Sequence, residues 1–561
     1  MTTHKEGMYG ELPTLPCIFS ACDSHYFMEH ASAFIYSADK VDKPVHIHVI
    51  NPTPQVLALS GILNATTKTN VTYTFHDADV PEDKDARRTL YACIRFLVLP
   101  QIVRSAKKVL TLDIDCMVMQ PFDFPNKPAG YFPRESMGYG NQEREGTKVA
   151  AGAVYLTEDV LGIVDQIHNT IKTVPMQWYA DQIVLHRVFK QVPESLVAKF
   201  DGSFMDWEFR QGTTIWTGKG PRKYENPIYV SMKQKMGDIN TKLNGYQNVI
   251  LKPRLDIPFK RSGLRLRNST NEPIREHWAN FVNTMTDTLD NPLVIEMPRW
   301  MFNSEILSYF PRGTPMLVPH EEKHSWGGDE NTRFYMQTVF PWLFTIDPEG
   351  WGGGAKFIQT FENIKGDVDT SFFDELSDYT KRGGTKFGHL QPKKGFRHGN
   401  LLEDEFIFVP LQIPHDLVIK YHSQVSCEEF VRALCEWADQ KGNPQVVFKG
   451  HPINVNSMSP LINIIRQHNN AIYLTDCHIH EMIDKAKATY VINSGTGQEA
   501  MLLDKTVVAF GRCEYLKAVI AGNIENLDEA WKLVKNTDQR EQQETYRHWY
   551  GWYSKNVFDS R

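Results

Sequence analysis

The chain has 561 residues, of which 41% are apolar, 23% charged and 12% aromatic. That composition furnishes several compact units with their cores and excludes disordered, collagen-like and low-complexity classes. Sixty-one Lys and Arg against 67 Asp and Glu give a net charge of -6, which leaves no bulk basic surface for nucleic acid.

The eight cysteines form no Cys-x-x-Cys pair, so neither a zinc site nor a disulfide framework is expected, and a reducing cytoplasm fits. The start Met1-Thr-Thr-His-Lys-Glu6 lacks the basic and apolar segments of a signal peptide. Apolar stretches such as residues 94–103 are broken by Arg95, Pro100 and Gln101, short of the ~20 residues of a membrane span. The expectation is a cytoplasmic chain with no transmembrane segment, with peripheral contact at the inner face of the membrane left open.

In chain order, residues 16–22 and 45–50 predict strands on either side of a helix over 27–37, the rhythm of a parallel sheet. A helix over 89–104 leads to a buried strand, Lys108-Val-Leu-Thr-Leu112, that runs into Asp113-Ile-Asp115; a strand at 150–156 and a helix over 160–173 follow. One α/β domain is expected over 1–235. Across 236–292 Asn, Pro, Arg and Lys are dense, as in Lys252-Pro-Arg254, and a linker or irregular connecting region is expected. Alternation restarts at Leu293-Val-Ile-Glu296, opening a lobe over 293–400 that contains Gly350-Trp-Gly-Gly-Gly354. The last part, 401–561, reads as strands at 406–411 and 445–449 around a helix over 427–440, then a strand at 488–493, a helix from Gln498 and a strand at 506–510.

Two constellations carry chemistry. Residues i and i+2 of a strand face the same way, so Asp113 and Asp115 offer two carboxylates to one hard cation, Mg²⁺ or Mn²⁺, holding a diphosphate. Three other Asp-x-Asp triplets, at Asp77, Asp83 and Asp367, do not directly follow an apolar β run. Ile492-Asn-Ser-Gly-Thr-Gly-Gln-Glu499 places small residues where a strand turns into a helix, an arrangement suited to an anion; Lys449-Gly-His-Pro452 adds a cation and an imidazole at the same sheet edge.

Residues 21–26 (Ala-Cys-Asp-Ser-His-Tyr), 91–96 (Tyr-Ala-Cys-Ile-Arg-Phe), 109–115, 150–153 and 179–182 (Tyr-Ala-Asp-Gln) together resemble the family-8-like, glycogenin-like glycosyltransferases of the GT-A fold. The resemblance implies a Rossmann-type mixed sheet, with Asp23 and Tyr26 on base and ribose and Arg95 on the donor. It further implies Asp113 and Asp115 on Mn²⁺ or Mg²⁺, and Asp181 and Gln182 near the anomeric carbon of a UDP-sugar. The family's late His-x-x-Gly-x-x-Lys segment corresponds to residues 215–223, which lack the histidine; Lys219 and Lys223 are candidates to neutralise phosphate.

Residues 409–416 (Val-Pro-Leu-Gln-Ile-Pro-His-Asp), 449–452, 491–500, 503–507 and the aromatic stretch 546–553 resemble capsule-polysaccharide biosynthesis glycosyltransferases related to bacterial β-Kdo transferases. That resemblance implies a GT-B-like pair of Rossmann-type lobes, 293–400 on the acceptor side and 401–561 on the donor side. Asp416 is then the catalytic carboxylate, as general base or nucleophile. Lys449, His451, Ser494, Gly495, Thr496 and Gly497 hold the phosphates of a UDP- or CMP-sugar without a metal cofactor, and Glu499 reaches the ribose. Together the resemblances imply a bifunctional glycosyltransferase extending a surface or capsular glycan or glycolipid. The alternative is a single active C-terminal enzyme with a non-catalytic, carbohydrate-binding or docking N-terminal module.

Overall fold

A computed structural model describes residues 7–134, 149–175, 177, 179–218, 220–254, 264–266, 273–362, 368–395, 399–452 and 458–561. The chain divides into two units, the first of residues 1–270 and 290–314 and the second of residues 271–289 and 315–561.

In the first unit the strands Cys17–Asp23, Val45–Ile50, Val71–His76 and Lys108–Leu112 pair in parallel, in the spatial order third, second, first, fourth, within a nine-stranded sheet. Every residue of Val45–Ile50 and Val71–His76 is buried, as both faces of a parallel sheet should be. Strand order reverses between Cys17–Asp23 and Lys108–Leu112, so Asp23 and Asp113 both stand at the carboxyl edge of the sheet. Val149–Thr157 pairs antiparallel with Lys108–Leu112, setting Ala153 against Leu112. Helix Ser24–Lys40 is capped by Asp23, whose carboxylate accepts from the Tyr26 N–H at 2.8 Å. Helix Lys84–Ala106 buries Ile94, Phe96, Leu99 and Val103 in the core that Val109 and Val154 share.

The expected connecting region, 236–292, instead holds ordered elements. Strand Asn248–Pro253 pairs in parallel with Pro292–Met297 in the first unit. Helix Pro273–Thr288 belongs to the second unit, where Phe281 stacks on Tyr335 and Phe344 with ring centroids 4.8 and 4.4 Å apart. Its apolar positions Trp278, Phe281, Val282 and Met285 follow the helical period. The surrounding Asn, Pro and Lys mask that signal.

The second unit carries a six-stranded all-parallel sheet made, in chain order, of Phe406–Pro410, Gln445–Lys449, Ala471–Leu474, Ala488–Val491, Val507–Ala509 and Ile520–Ala521. Its spatial order is 3-2-1-4-5-6, the doubly wound Rossmann arrangement, with the reversal between the first and fourth strands. A smaller mixed sheet joins Met316–Pro319, Thr332–Gln337, Leu343–Asp347 and Val557–Asp559. The C-terminal helix Gln539–Tyr553 buries Tyr546, Trp549, Tyr550 and Tyr553 against the core that includes Ala500 and Leu502.

The architecture is thus α/β with several Rossmann-like parallel sheets. Among the described residues no helix is long and apolar enough to cross a membrane, and the eight cysteines are buried thiols.

Candidate functional site

The carboxyl edge of the first unit gathers most of the residues that its motifs single out. Arg95, buried on its helix, is bonded to Asp113 and lies 3.7 Å from Asp181. Gly152 on the neighbouring strand permits this packing, since a Cβ there would stand 2.7 Å from Asp113 Oδ2. Asp115 is met by Lys223, whose Nζ lies 3.1 Å from its Oδ2 and donates to the Tyr26 hydroxyl at 3.1 Å. Burial opposes charge on Lys223, yet Asp115 and Tyr26 hold its ammonium above the usual lysine range. The Asp115 carbonyl accepts from Tyr229 Oη at 2.6 Å and from the Gly218 N–H at 3.0 Å, which locks the segment after the strand. Gln182 is bonded to Arg134. Lys219 lies outside the described residues.

The implied Mn²⁺ or Mg²⁺ does not fit these side chains. A divalent ion needs its carboxylates open to it, whereas a guanidinium already holds Asp113 and an ammonium holds Asp115. Among the described residues no three His, Cys, Asp or Glu side chains come together as a metal site. Residues 215–223 contain no histidine, and Lys223, at the end of that segment, brings a positive charge to Asp115.

In the second unit, a cavity of about 370 Å³ opens where strand order reverses in the all-parallel sheet. It is large enough for a small-molecule ligand. The carboxyl ends of the first, second and fourth strands and the loops after them supply Asp416, Lys449 with His451, and Ser494 to Thr496. Gln412 and Asn493 tie the first and fourth loops together, Gln412 donating to Asn493 Oδ1 at 2.9 Å and accepting from its N–H at 3.1 Å. Asp416 caps helix Leu417–His422 through the Val418 N–H at 3.3 Å and stays exposed at the cavity.

Burial holds the His451 imidazole down at about 4, against the pull of Asp416, so the ring is neutral at neutral pH. Burial likewise lowers Lys449. It lowers Lys386 to about 8, while Asp416, Glu514 and Glu499 act to keep the proton on. Lys386 and Glu514 both line the cavity, and their own sequence surroundings carry no motif that announces them.

Two expected donor contacts are differently employed. The N–H groups of Thr496, Gly497 and Gln498 bond to Ser494 Oγ, Ser494 O and Gly495 O, so the glycine turn closes on itself rather than pointing these amides at an anion. Gly497 packs behind the wall, where a Cβ would stand 2.3 Å from Tyr515 Oη. Glu499 lines the cavity, where its oxygens accept from Thr385 Oγ1 at 2.9 Å and pair with His480 Nε2 at 2.6 Å.

The glycine loop is built around a buried pair. Glu322 is bonded to His422, the last residue of the helix that Asp416 caps, and lies 3.0 Å from His324 Nδ1. Added Cβ atoms at Gly350 and Gly354 would come within 2.9 and 2.2 Å of Glu322, and one at Gly352 within 3.1 Å of His422. Trp351, Gly352 and Gly353 then line the cavity.

Residues 395–547, which contain Asp416, Lys449, His451 and the glycine turn, match the family described as capsule polysaccharide biosynthesis protein. Among curated proteins, Protein FixF of Sinorhizobium fredii (strain NBRC 101917 / NGR234) is 26% identical over 181 residues, 32% of this chain. The match spans 42% of that relative's length.

Among solved structures, the β-Kdo 2,7 transferase of Thermosulfurimonas dismutans KpsC aligns at 14% identity and a TM-score of 0.33, over 54% of this chain and 89% of that one. The glycosyltransferase GlyE of Streptococcus pneumoniae TIGR4 aligns at 11% identity and a TM-score of 0.24, over 93% and 99%. Likeness of this degree does not extend to chemistry.

Proposed function

We propose that the second unit is a glycosyltransferase of capsular or surface-glycan assembly, taking a UDP- or CMP-sugar donor and a glycan or glycolipid acceptor. The observation that carries this reading is the meeting of Asp416, Lys449, His451 and Ser494 around one cavity at the reversal point of a parallel sheet. As the acceptor oxygen bonds to the anomeric carbon, Asp416 takes the hydroxyl proton. The carbon–oxygen bond to the phosphate breaks, and its electron pair leaves with the nucleotide, facing Lys449 and Lys386. Direct attack by Asp416 on the anomeric carbon is the other role its position permits; retention rather than inversion in the product would identify it. The ion pairs at Asp113 and Asp115 favour one transfer centre in the chain over two.

The test is nucleotide release by the full chain from a panel of UDP- and CMP-sugars with and without acceptor glycans. At least one donor is expected to turn over, with its KM raised about tenfold, a loss of ~1.4 kcal/mol, in Lys449→Ala. Absence of turnover across the panel, or an unchanged KM in that variant, would overturn the reading.

The cavity also sets a pH dependence. Lys386 carries its charge below about 8 and loses it as pH rises through that value. Donor KM is therefore expected to rise between pH 7 and 9, and Lys386→Arg, which stays protonated, to flatten that rise.

A further inference from the structure

The first unit offers a ligand surface that the transfer reading does not use. Tyr26 and Tyr224 are 38% and 58% exposed, and both rings flank one buried ammonium, with Lys223 Nζ 4.5 and 5.4 Å from their centroids. Beneath them lies the Lys223–Asp115 pair. The charge of Lys223 is already matched by Asp115, and that of Arg95 by Asp113 and Asp181. A nucleoside diphosphate arriving at this edge would face Asp23, Asp113, Asp115 and Asp181 with those cations already engaged, an unfavourable meeting of like charges. An uncharged sugar meets no such opposition. Its C–H face packs on exposed aromatic rings, and its hydroxyls donate to carboxylate oxygens.

We propose that the first unit holds a neutral pyranose glycan on the Tyr26–Tyr224 shelf above the Lys223–Asp115 pair, without a divalent cation. This stands apart from the chemistry assigned to the second unit and survives or fails independently of it.

The test is saturation-transfer NMR and calorimetry on the full chain with maltotetraose, chitotetraose and α-1,6-mannotetraose, in EDTA and in MnCl₂, with UDP as the charged probe. At least one saccharide is expected to bind equally in both media and to lose about tenfold in affinity in Tyr224→Ala, the ~1.4 kcal/mol range of one stacked ring. The exposure of Tyr224 means that this variant keeps its fold, checked by circular dichroism. Binding is expected to be unchanged in Lys449→Ala, which reports on the other unit. The proposal is overturned if no saccharide binds, if Tyr224→Ala leaves binding intact, if Lys449→Ala removes it, or if UDP binds in a Mn²⁺-dependent manner lost in Asp115→Asn.

Discussion

Asp416→Asn is expected to lower kcat about a thousandfold, within the 10²–10⁴ range of a lost general base and equivalent to ~4 kcal/mol of transition-state stabilisation. The amide keeps the shape of the carboxylate and an oxygen that can accept from the Val418 N–H, so helix Leu417–His422 retains its cap. It cannot take a proton. The loss should therefore appear in kcat with donor KM little changed, the opposite of the pattern expected for Lys449→Ala. Steady-state kinetics with the donor identified from the panel, alongside the thermal midpoint of the variant, decides the matter. An active variant of normal stability would remove Asp416 from the chemistry.

The second large effect is structural. Glu322→Ala is expected to cost the second unit about 3–5 kcal/mol, because removing one partner of a buried pair leaves the other polar group without compensation. Glu322 and His422 are fully enclosed, and His422 Nδ1 is already a buried atom without a hydrogen-bond partner among the described residues. Gly350 and Gly354 would also lose the side chain they pack against. Glu322→Gln, which keeps a hydrogen-bonding head of the same size, should cost markedly less. Urea denaturation followed by tryptophan fluorescence measures both variants; equal and small losses would show that the glycine loop stands without the pair.

Much of the frame was legible because strand, turn and edge residue are adjacent in sequence. Asp113 follows Lys108–Leu112 directly, and His451 stands two residues after Gln445–Lys449. What sequence could not display is which distant group meets each side chain. Lys223 lies 108 residues from the Asp115 it neutralises, and Lys386 and Glu514 reach the cavity from segments without a motif. Small residues around Gly495 signalled a turn correctly but not that its amides bond inward. Nor could it display that Glu499 is engaged by Thr385, 114 residues away. Helix Pro273–Thr288 was obscured for a different reason: its four apolar positions sit within a polar stretch, and only its packing on Tyr335 and Phe344 sets it apart from a linker.

The course of the backbone has a practical consequence. Residues 271–289 serve the second unit, while residues 290–314, further along, return to the first. No single truncation therefore yields two intact halves. A fragment ending at 270 lacks the strand Pro292–Met297 that pairs with Asn248–Pro253, and one beginning at 315 lacks the helix that covers Tyr335 and Phe344. Recombinant dissection would report instability where function was the question, and assigning an activity to either unit calls for point substitutions in the uncut polypeptide.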